Sequence, residues 1–141
     1  MNNLFAYGTL MCKDIFYSVA GMKLSYSAGL LEGYCRYPVI GHVYPGILRR
    51  CGFTVQGIVY FDVPDRVRLR LDRFEGEMYE GCSVLVKCED NKKITAYTYI
   101  IRPQFVHCLE QKDWNFQNFL VVEKKIFRQS CAGYTDIDET E

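Results

Sequence analysis

Hydrophobic and polar residues alternate in several short segments of the chain, and this alternation predicts strands. The clearest segment is residues 53–63, which predicts a central strand. Its first face carries Phe53, Val55, Gly57, Val59 and Phe61, and its second face carries Thr54, Gln56, Ile58, Tyr60 and Asp62. Residues 4–7 predict the first strand, and residues 79–88 and 93–101 predict a hairpin that turns at Asp90 and Asn91.

Three segments have helical signals instead. Residues 13–20 predict a short helix ended by Gly21, and Pro64 opens a helix with Val67, Leu71 and Phe74 on one face. Asn115 is the expected N-cap of a last helix over residues 116–129. Residues 27–34 and 37–40 predict strands or extended loop, and residues 41–52 and 102–112 predict loops.

Length and composition favour one folded unit. The chain has 141 residues, of which 49% are hydrophobic and 15% aromatic, which suits a single domain with one core. We therefore expect one domain over residues 1–135. Residues 136–141 are acidic and lack apolar anchors, so we expect a disordered tail there.

The net charge of the chain argues against some classes of binding partner. Seventeen basic residues balance seventeen acidic ones, which argues against a nucleic acid or an acidic membrane as the main partner. The arginines at 66, 68, 70 and 73 are interpreted as a solvated helix face. No long apolar surface stripe is evident, so we expect a monomer.

The cysteine pattern indicates a reducing compartment. The seven cysteines are Cys12, Cys35, Cys51, Cys82, Cys88, Cys108 and Cys131. None is spaced as Cys-x-x-Cys and no signal peptide is evident, so we expect a cytoplasmic protein with buried thiols. Neither His42 nor His107 lies at ligand spacing from a cysteine pair, so no metal site is expected. Only Cys12 keeps a functional interpretation, because a nearby helix N-terminus would lower its thiol pKa.

The first candidate site is the segment Phe5-Ala6-Tyr7-Gly8-Thr9-Leu10. An apolar strand ends here in a glycine turn, which lets backbone N–H groups point outward toward an anion, and the following helix adds its positive N-terminal dipole. The alternative is a plain strand-to-helix connection in which Thr9 acts as an N-cap and no donor stays free.

The second candidate is Glu75, which ends an amphipathic helix between Phe74 and Gly76. A sharp turn at the glycine can point the carboxylate inward, where aromatic neighbours would raise its pKa. The alternative is a carboxylate in water or paired with an arginine. Glu77 and Glu80 lie nearby, and we expect both to be exposed.

These segments together resemble the gamma-glutamylcyclotransferase-like superfamily, especially the gamma-glutamylamine cyclotransferases and the plant avirulence-induced proteins. The resemblance covers about residues 4–120, with several motifs in the family's order. The matching segments are Tyr7-Gly8-Thr9-Leu10, Tyr44-Pro45-Gly46-Ile47, Val55-Gln56-Gly57, Leu71-Asp72-Arg73-Phe74-Glu75-Gly76, Ala96 to Tyr99, and Trp114-Asn115-Phe116.

The resemblance implies an α+β fold, a small, mostly antiparallel β-barrel flanked by helices. It also implies cyclisation of a small gamma-glutamyl substrate to pyroglutamate (5-oxoproline), with Glu75 as general acid/base and no cofactor or metal. The implied substrate-binding residues are Phe5, Ala6, Tyr7, Gly8, Thr9, Leu10 and Tyr79. The leaving amine is not specified, and residues 41–52 and 102–112 are the expected leaving-group loops.

One departure from the family pattern keeps other functions open. Many small members have Tyr-x-Arg after the glutamate, where this chain has Tyr79-Glu80-Gly81. The missing arginine removes a fixed charge, so one alternative is a catalytically inactive module that binds a metabolite or protein. Another is a thiol hydrolase or acyltransferase in which Cys12 is the nucleophile and His42 or His107 the base.

Overall fold

A computed structural model describes residues 2–123 of the chain. Five strands and three α-helices are joined by short 3-10 turns. The strands are β1 (Asn2–Ala6), β2 (Tyr26–Pro38), β3 (Pro45–Val63), β4 (Tyr79–Cys88) and β5 (Lys93–Ile101). The helices are α1 (Lys13–Ala20), α2 (Asp65–Glu75) and α3 (Phe116–Asn118), and the 3-10 turns are Thr9–Met11 and Pro103–Cys108. A π-helical turn, Phe119–Glu123, follows α3.

The five strands form a closed barrel in the order β1-β3-β2-β4-β5. The pair β1 and β5 is parallel and the other four pairs are antiparallel. The mostly antiparallel barrel implied by the resemblance is therefore confirmed. Closure places β1 in the barrel wall between β3 and β5, and the Tyr7-Gly8-Thr9-Leu10 segment follows directly from its end.

The barrel interior is filled by a cluster to which all five strands contribute. Its buried members are Phe5, Tyr7, Leu31, Ile47, Val55, Val59, Val84, Val86 and Ala96. Alternate residues of each strand point inward, so the period-two pattern in β3, β4 and β5 produces this cluster directly.

A second cluster lies between the outside of the barrel and the two long helices. Val67 and Leu71 of α2 and Ile15 and Phe16 of α1 are buried in it. The ring of Phe16 stacks on Tyr60 of β3 with centroids 3.7 Å apart. Tyr60, predicted on the more polar face of its strand, is buried because that face is covered by a helix.

Two predictions about the middle of the chain were wrong. Most of the predicted loop 41–52 belongs to β3, whose residues Pro45 to Arg49 pair with β2. Phe53, predicted on the apolar face of the central strand, is 44% exposed. The register between β2 and β3 shifts between Glu32 and Tyr34, so the alternation on one side of the shift does not continue through it.

The predicted ends of the first two helices and the predicted N-cap of the third agree with the structure. Helix α1 ends at Gly21 as predicted, and α2 ends at Gly76. Asn115 caps α3 by accepting a hydrogen bond from the backbone N–H of Asn118, at 2.9 Å. The rest of the predicted last helix and the predicted tail at 136–141 lie outside the described residues.

Three further expectations concern the whole chain. Within residues 2–123, no helix has the length and apolar content needed to cross a membrane. The six cysteines in that range form no disulfide bond with one another. The single domain, the monomeric state and the cytoplasmic location stay predictions.

Candidate functional site

Glu75 is the last residue of α2 and is partly buried. The helix stops because Gly76 takes a positive φ of 76°. Burial, together with the negative charge of Asp72 one helical turn earlier, raises the pKa of Glu75 from 4.5 to about 8. A carboxyl group with this pKa can both accept and release a proton near neutral pH.

Three buried tyrosines interact electrostatically with Glu75: Tyr7, Tyr79 and Tyr99. The pKa of each hydroxyl is raised, first by burial and further by the charge of Glu75. The Tyr7 hydroxyl donates to the carbonyl of Tyr99 at 2.7 Å, and the Tyr79 hydroxyl donates to the carbonyl of Pro45 at 2.7 Å. The charge of Glu75 is therefore within electrostatic range of fixed phenol groups from the residue that follows β1 and from β4 and β5.

Asp72 is held in place beside Glu75. The Tyr99 hydroxyl donates to an Asp72 carboxylate oxygen at 2.6 Å, which ties α2 to β5. This hydrogen bond fixes the Asp72 carboxylate close to Glu75, whose pKa it helps to raise.

The candidate anion turn follows β1 as a single 3-10 turn. The carbonyls of Gly8 and Thr9 accept from Met11 and Cys12 at 3.0 Å each. Within residues 2–123, the N–H groups of Gly8, Thr9 and Leu10 donate to no protein atom. Three successive donors therefore stay available, as an anion-binding backbone requires.

The sequence offered two interpretations of this turn: an anion site next to a helix N-terminus, or a connection in which Thr9 is an N-cap. The structure differs from both. Thr9 is not an N-cap, because the residue before the 3-10 turn is Gly8 and no side-chain cap bond forms. Helix α1 begins only at Lys13 with Cys12 as its N-cap, so its dipole is one turn away from the free donors.

Gly8 is required by close packing. A Cβ atom at this position would lie 2.8 Å from two ring carbons of Pro45. Pro45 is also the residue whose carbonyl receives the Tyr79 hydrogen bond, so it links the turn to β4.

The predicted site residues occupy three different environments. Tyr7 and Tyr79 are close enough to Glu75 for their pKa values to respond to its charge. Gly8, Thr9 and Leu10 form the turn with free donors. Phe5 packs inside the barrel, whereas Ala6 and Leu10 pack in the outer cluster, so these side chains support the site through the fold.

Sequence reasoning missed Arg36 and gave no role to Asp72 or Tyr99. Arg36 Nη1 donates to the carbonyl of Tyr7 at 2.7 Å, although 29 residues separate them. The sequence feature that could have indicated a role for Arg36 is its position between Cys35 and Tyr37, two residues that are buried in the structure. Asp72 and Tyr99 stood inside matched motifs, yet only the fold brings them into contact.

The thiol alternative finds no support in the geometry. The Cys12 thiol donates to the Asp14 carboxylate, the ring of His42 stacks on Tyr44, and His107 contacts the Cys108 sulfur at 3.5 Å. Cys12 and the two histidines therefore have different neighbours.

At the departure from the family pattern, an aromatic ring occupies the space beside Gly81. A Cβ atom there would lie 1.7 Å from the Tyr97 hydroxyl oxygen. The guanidinium carbon of Arg68, on α2, lies 3.6 Å from the centre of the Tyr97 ring. A positive charge is thus present on this side of the barrel, but it comes from the helix.

Comparisons with known proteins agree with the fold. AIG2-like protein D of Arabidopsis thaliana is 29% identical over 102 residues, which cover 71% of this chain and 67% of that protein. An Arabidopsis thaliana protein of known solution structure superposes with a TM-score of 0.69 at 24% identity, covering 98% of this chain and 84% of that one. A yeast gamma-glutamyl cyclotransferase specific to glutathione superposes with a TM-score of 0.57 at 10% identity, covering 99% and 97%.

The family assignment comes from the sequence profile that matches most of the barrel. Residues 4–116 match the family described as gamma-glutamyl cyclotransferase, AIG2-like. This span begins in β1, contains both candidate sites and ends at Phe116. The chain therefore belongs to the gamma-glutamyl cyclotransferase, AIG2-like family.

Proposed function

We propose that the protein is a gamma-glutamyl cyclotransferase, which releases an amine or amino acid from a small gamma-glutamyl substrate and forms pyroglutamate. The observation that carries the proposal is the carboxyl group of Glu75, whose pKa is raised to about 8 among buried tyrosines. The family assignment supports the reaction class.

The substrate contains its own nucleophile, so the enzyme has few tasks. The α-amine nitrogen attacks the γ-carbonyl carbon, a C–N bond closes the five-membered ring, and the C–N bond to the leaving amine breaks. Glu75 accepts a proton from the α-ammonium group, which frees the lone pair for attack, and returns it to the leaving nitrogen. A second proton leaves the ring nitrogen as the lactam forms, and Glu75 passes it to the same amine, which departs as an ammonium ion, so the enzyme consumes no net proton. Effective molarities on the order of 10⁵ M or more are known for well-oriented intramolecular reactions.

The pKa of about 8 suits this proton transfer. An unperturbed α-amino group has a pKa of about 8, so a proton passes between it and Glu75 at little cost in free energy. An exposed glutamate would be too weak a base by several pKa units.

The free donors of Gly8, Thr9 and Leu10 are proposed to bind the substrate α-carboxylate. Backbone N–H groups that converge on one anion form charge-assisted hydrogen bonds. Such binding would hold the glutamyl end while the amine swings toward its own γ-carbonyl. Tyr79 and Tyr7 are proposed to enclose the glutamyl carbons.

The test is to incubate purified protein with a panel of gamma-glutamylamines, gamma-glutamyl dipeptides and glutathione, and to detect pyroglutamate by mass spectrometry. We expect turnover of at least one class, loss of turnover by at least about 100-fold in Glu75→Gln, and retention in Cys12→Ala. Glu77→Gln is the matched control, because Glu77 is exposed and two residues away.

Two outcomes would contradict the proposal. Turnover in folded Glu75→Gln would exclude Glu75 as the proton carrier. No turnover across the panel would favour the alternative, a catalytically inactive metabolite- or protein-binding module.

A further inference from the structure

Arg36 makes an unusual set of contacts behind the candidate anion turn. It lies in β2, and its Nη1 donates to the carbonyl of Tyr7 at 2.7 Å and to the carbonyl of Gln56 at 3.1 Å. One nitrogen thus connects the end of β1 to β3 across the barrel wall. Hydrogen bonds from a charged donor are shorter and stronger than neutral ones.

The guanidinium is held in a costly environment. Burial lowers the pKa of Arg36, and its Nε atom is buried without a hydrogen-bond partner among the described residues. The Trp114 ring covers the guanidinium, whose central carbon is 5.3 Å from the ring centre. An unsatisfied buried donor costs free energy, and the charge of Asp113 and the two hydrogen bonds to backbone carbonyls offset that cost.

The Tyr7 contact determines where the next amide points. In a trans peptide, the C=O of Tyr7 and the N–H of Gly8 point in opposite directions. No peptide bond among the described residues is cis. When Arg36 fixes the carbonyl on one side, the Gly8 N–H is fixed on the other.

Without that contact, the peptide plane would be free to rotate. Glycine accepts a much wider range of backbone angles than other residues, so the Tyr7–Gly8 peptide is the easiest in the turn to flip. A flip would present the carbonyl oxygen, not the N–H, to an incoming anion. Hydrogen bonding at the carbonyl also polarises the same amide and strengthens its N–H as a donor.

We infer that Arg36 is a positioning residue, which locks the Tyr7–Gly8 peptide so that the Gly8 N–H is presented to the α-carboxylate of the substrate. This inference rests on the proposed function, since it assigns a role within the same site. Arg36 therefore contacts the Tyr7 carbonyl and does not itself contact the substrate.

The experiment compares Arg36→Met and Arg36→Lys with wild type and with Arg49→Met. Methionine keeps much of the side-chain length without the donors, whereas lysine keeps the charge and can reach one carbonyl. Arg49 is the matched control, because it is an exposed arginine on β3 that also contacts an aromatic ring, that of Tyr34.

We expect KM for the gamma-glutamyl substrate to rise about 10- to 100-fold in Arg36→Met, as for loss of a hydrogen bond to a charged group. The kcat should change by less than about 3-fold, because uniform binding is lost while the proton transfer at Glu75 is intact. Arg36→Lys should fall between Arg36→Met and wild type, and Arg49→Met should match wild type. Wild-type KM in folded Arg36→Met, or a fall in kcat at constant KM, would overturn the inference.

A second readout does not depend on turnover. In ¹⁵N-labelled protein titrated with pyroglutamate, which carries the same carboxylate, the shift of the Gly8 amide resonance should be largest in wild type, smaller in Arg36→Lys and absent in Arg36→Met. An equal shift in these variants would overturn the inference and leave the proposed function standing. Absence of both turnover and any shift in wild type would instead count against the proposed function. Arg36→Lys provides the comparison if Arg36→Met fails to fold.

Discussion

At the scale of single residues, the decisive property of the candidate site is the proton affinity of Glu75. Burial is the larger cause of its raised pKa, and the charge of Asp72 is the second. Among the described residues, the hydroxyls of Tyr7, Tyr79 and Tyr99 also interact with Glu75, and all three stay neutral because their own pKa values are raised. Asp72 is therefore the residue through which the pKa can be changed without altering burial.

We predict that Asp72→Asn moves the acidic limb of the kcat/KM profile to lower pH. In wild type, kcat/KM should fall about tenfold per pH unit below a midpoint near 8, because protonated Glu75 cannot accept the ammonium proton. Asparagine keeps an oxygen to accept the Tyr99 hydrogen bond but removes the charge. The measurement is kcat/KM against pH, with the exposed Asp65→Asn on the same helix as control, and an unchanged midpoint would contradict the prediction.

The same carboxyl group gives a prediction about stability. Its pKa is higher in the folded chain than the ordinary value of 4.5, so between pH 4.5 and about 8 the folded state holds a proton that the unfolded state has lost. The stability that this proton gives is complete below pH 4.5 and is lost as pH rises through 8. The slope is at most about 1.4 kcal/mol per pH unit for one proton.

We therefore predict that the free energy of unfolding of wild type falls relative to Glu75→Gln as pH rises from 5 to 8. Urea titrations of both proteins at several pH values measure the difference, in which contributions from other groups cancel. A difference that stays constant with pH would show that Glu75 titrates normally.

How far the sequence predicted individual residues depended on the range of their contacts. Gly8 and Glu75 stand in short motifs whose local chemistry is visible in the chain, and the sequence singled out both. Arg36 acts through Tyr7, 29 residues away, and Asp72 through Tyr99, 27 residues away. Such contacts depend on strand order, which the local pattern does not contain.

At the scale of elements, the strands and helices with regular periodicity were predicted and the irregular ones were not. The β4–β5 hairpin and helices α1 and α2 follow the predicted bounds closely. The first half of β3 was missed because Arg49, Arg50 and Gly52 are exposed and give no alternation. Its pairing with β2 maintains the strand, and this pairing is a property of the tertiary fold.

The contact between β4 and β5 at Gly81 gives the prediction at this scale. Gly81→Ala should destabilise the protein by about 1–3 kcal/mol, because the new methyl group would occupy the position of the Tyr97 ring. Displacing the ring should also break its contact with Arg68 and loosen α2, which carries Glu75. Chemical denaturation measures the change, and Ser83→Ala, two residues further along β4, is the control.

A double mutant tests whether the ring is responsible. In a chain that already has Tyr97→Ala, adding Gly81→Ala should cost far less than it does in wild type, because the clash is gone. Equal costs in the two backgrounds would show that Gly81 is needed for another reason.

At the scale of the whole molecule, the barrel interior and the outer cluster share the same strands. Phe5 of β1 packs inside while Leu4 and Ala6 pack outside against the helices. If either cluster unfolded, β1 and β3 would lose the packing on one of their two faces, so we expect the two clusters to unfold together. The fold class came from the resemblance, because the periodicity of the strands alone does not determine how a sheet closes.

The segment that follows the barrel packs against the same outer cluster, so we predict that the whole domain unfolds in a single transition. Trp114, the only tryptophan of the chain, is buried, donates from its indole N–H to the carbonyl of Val43 at 3.0 Å, and covers Arg36. Its fluorescence therefore reports the outer cluster at the Arg36 face, whereas far-ultraviolet circular dichroism reports the strands. The two signals should give the same Tm and the same denaturation midpoint, as expected for one cooperative domain. A fluorescence change that precedes the loss of strand signal would show that the segment around Trp114 detaches first, and that Arg36 is then held only by its backbone contacts.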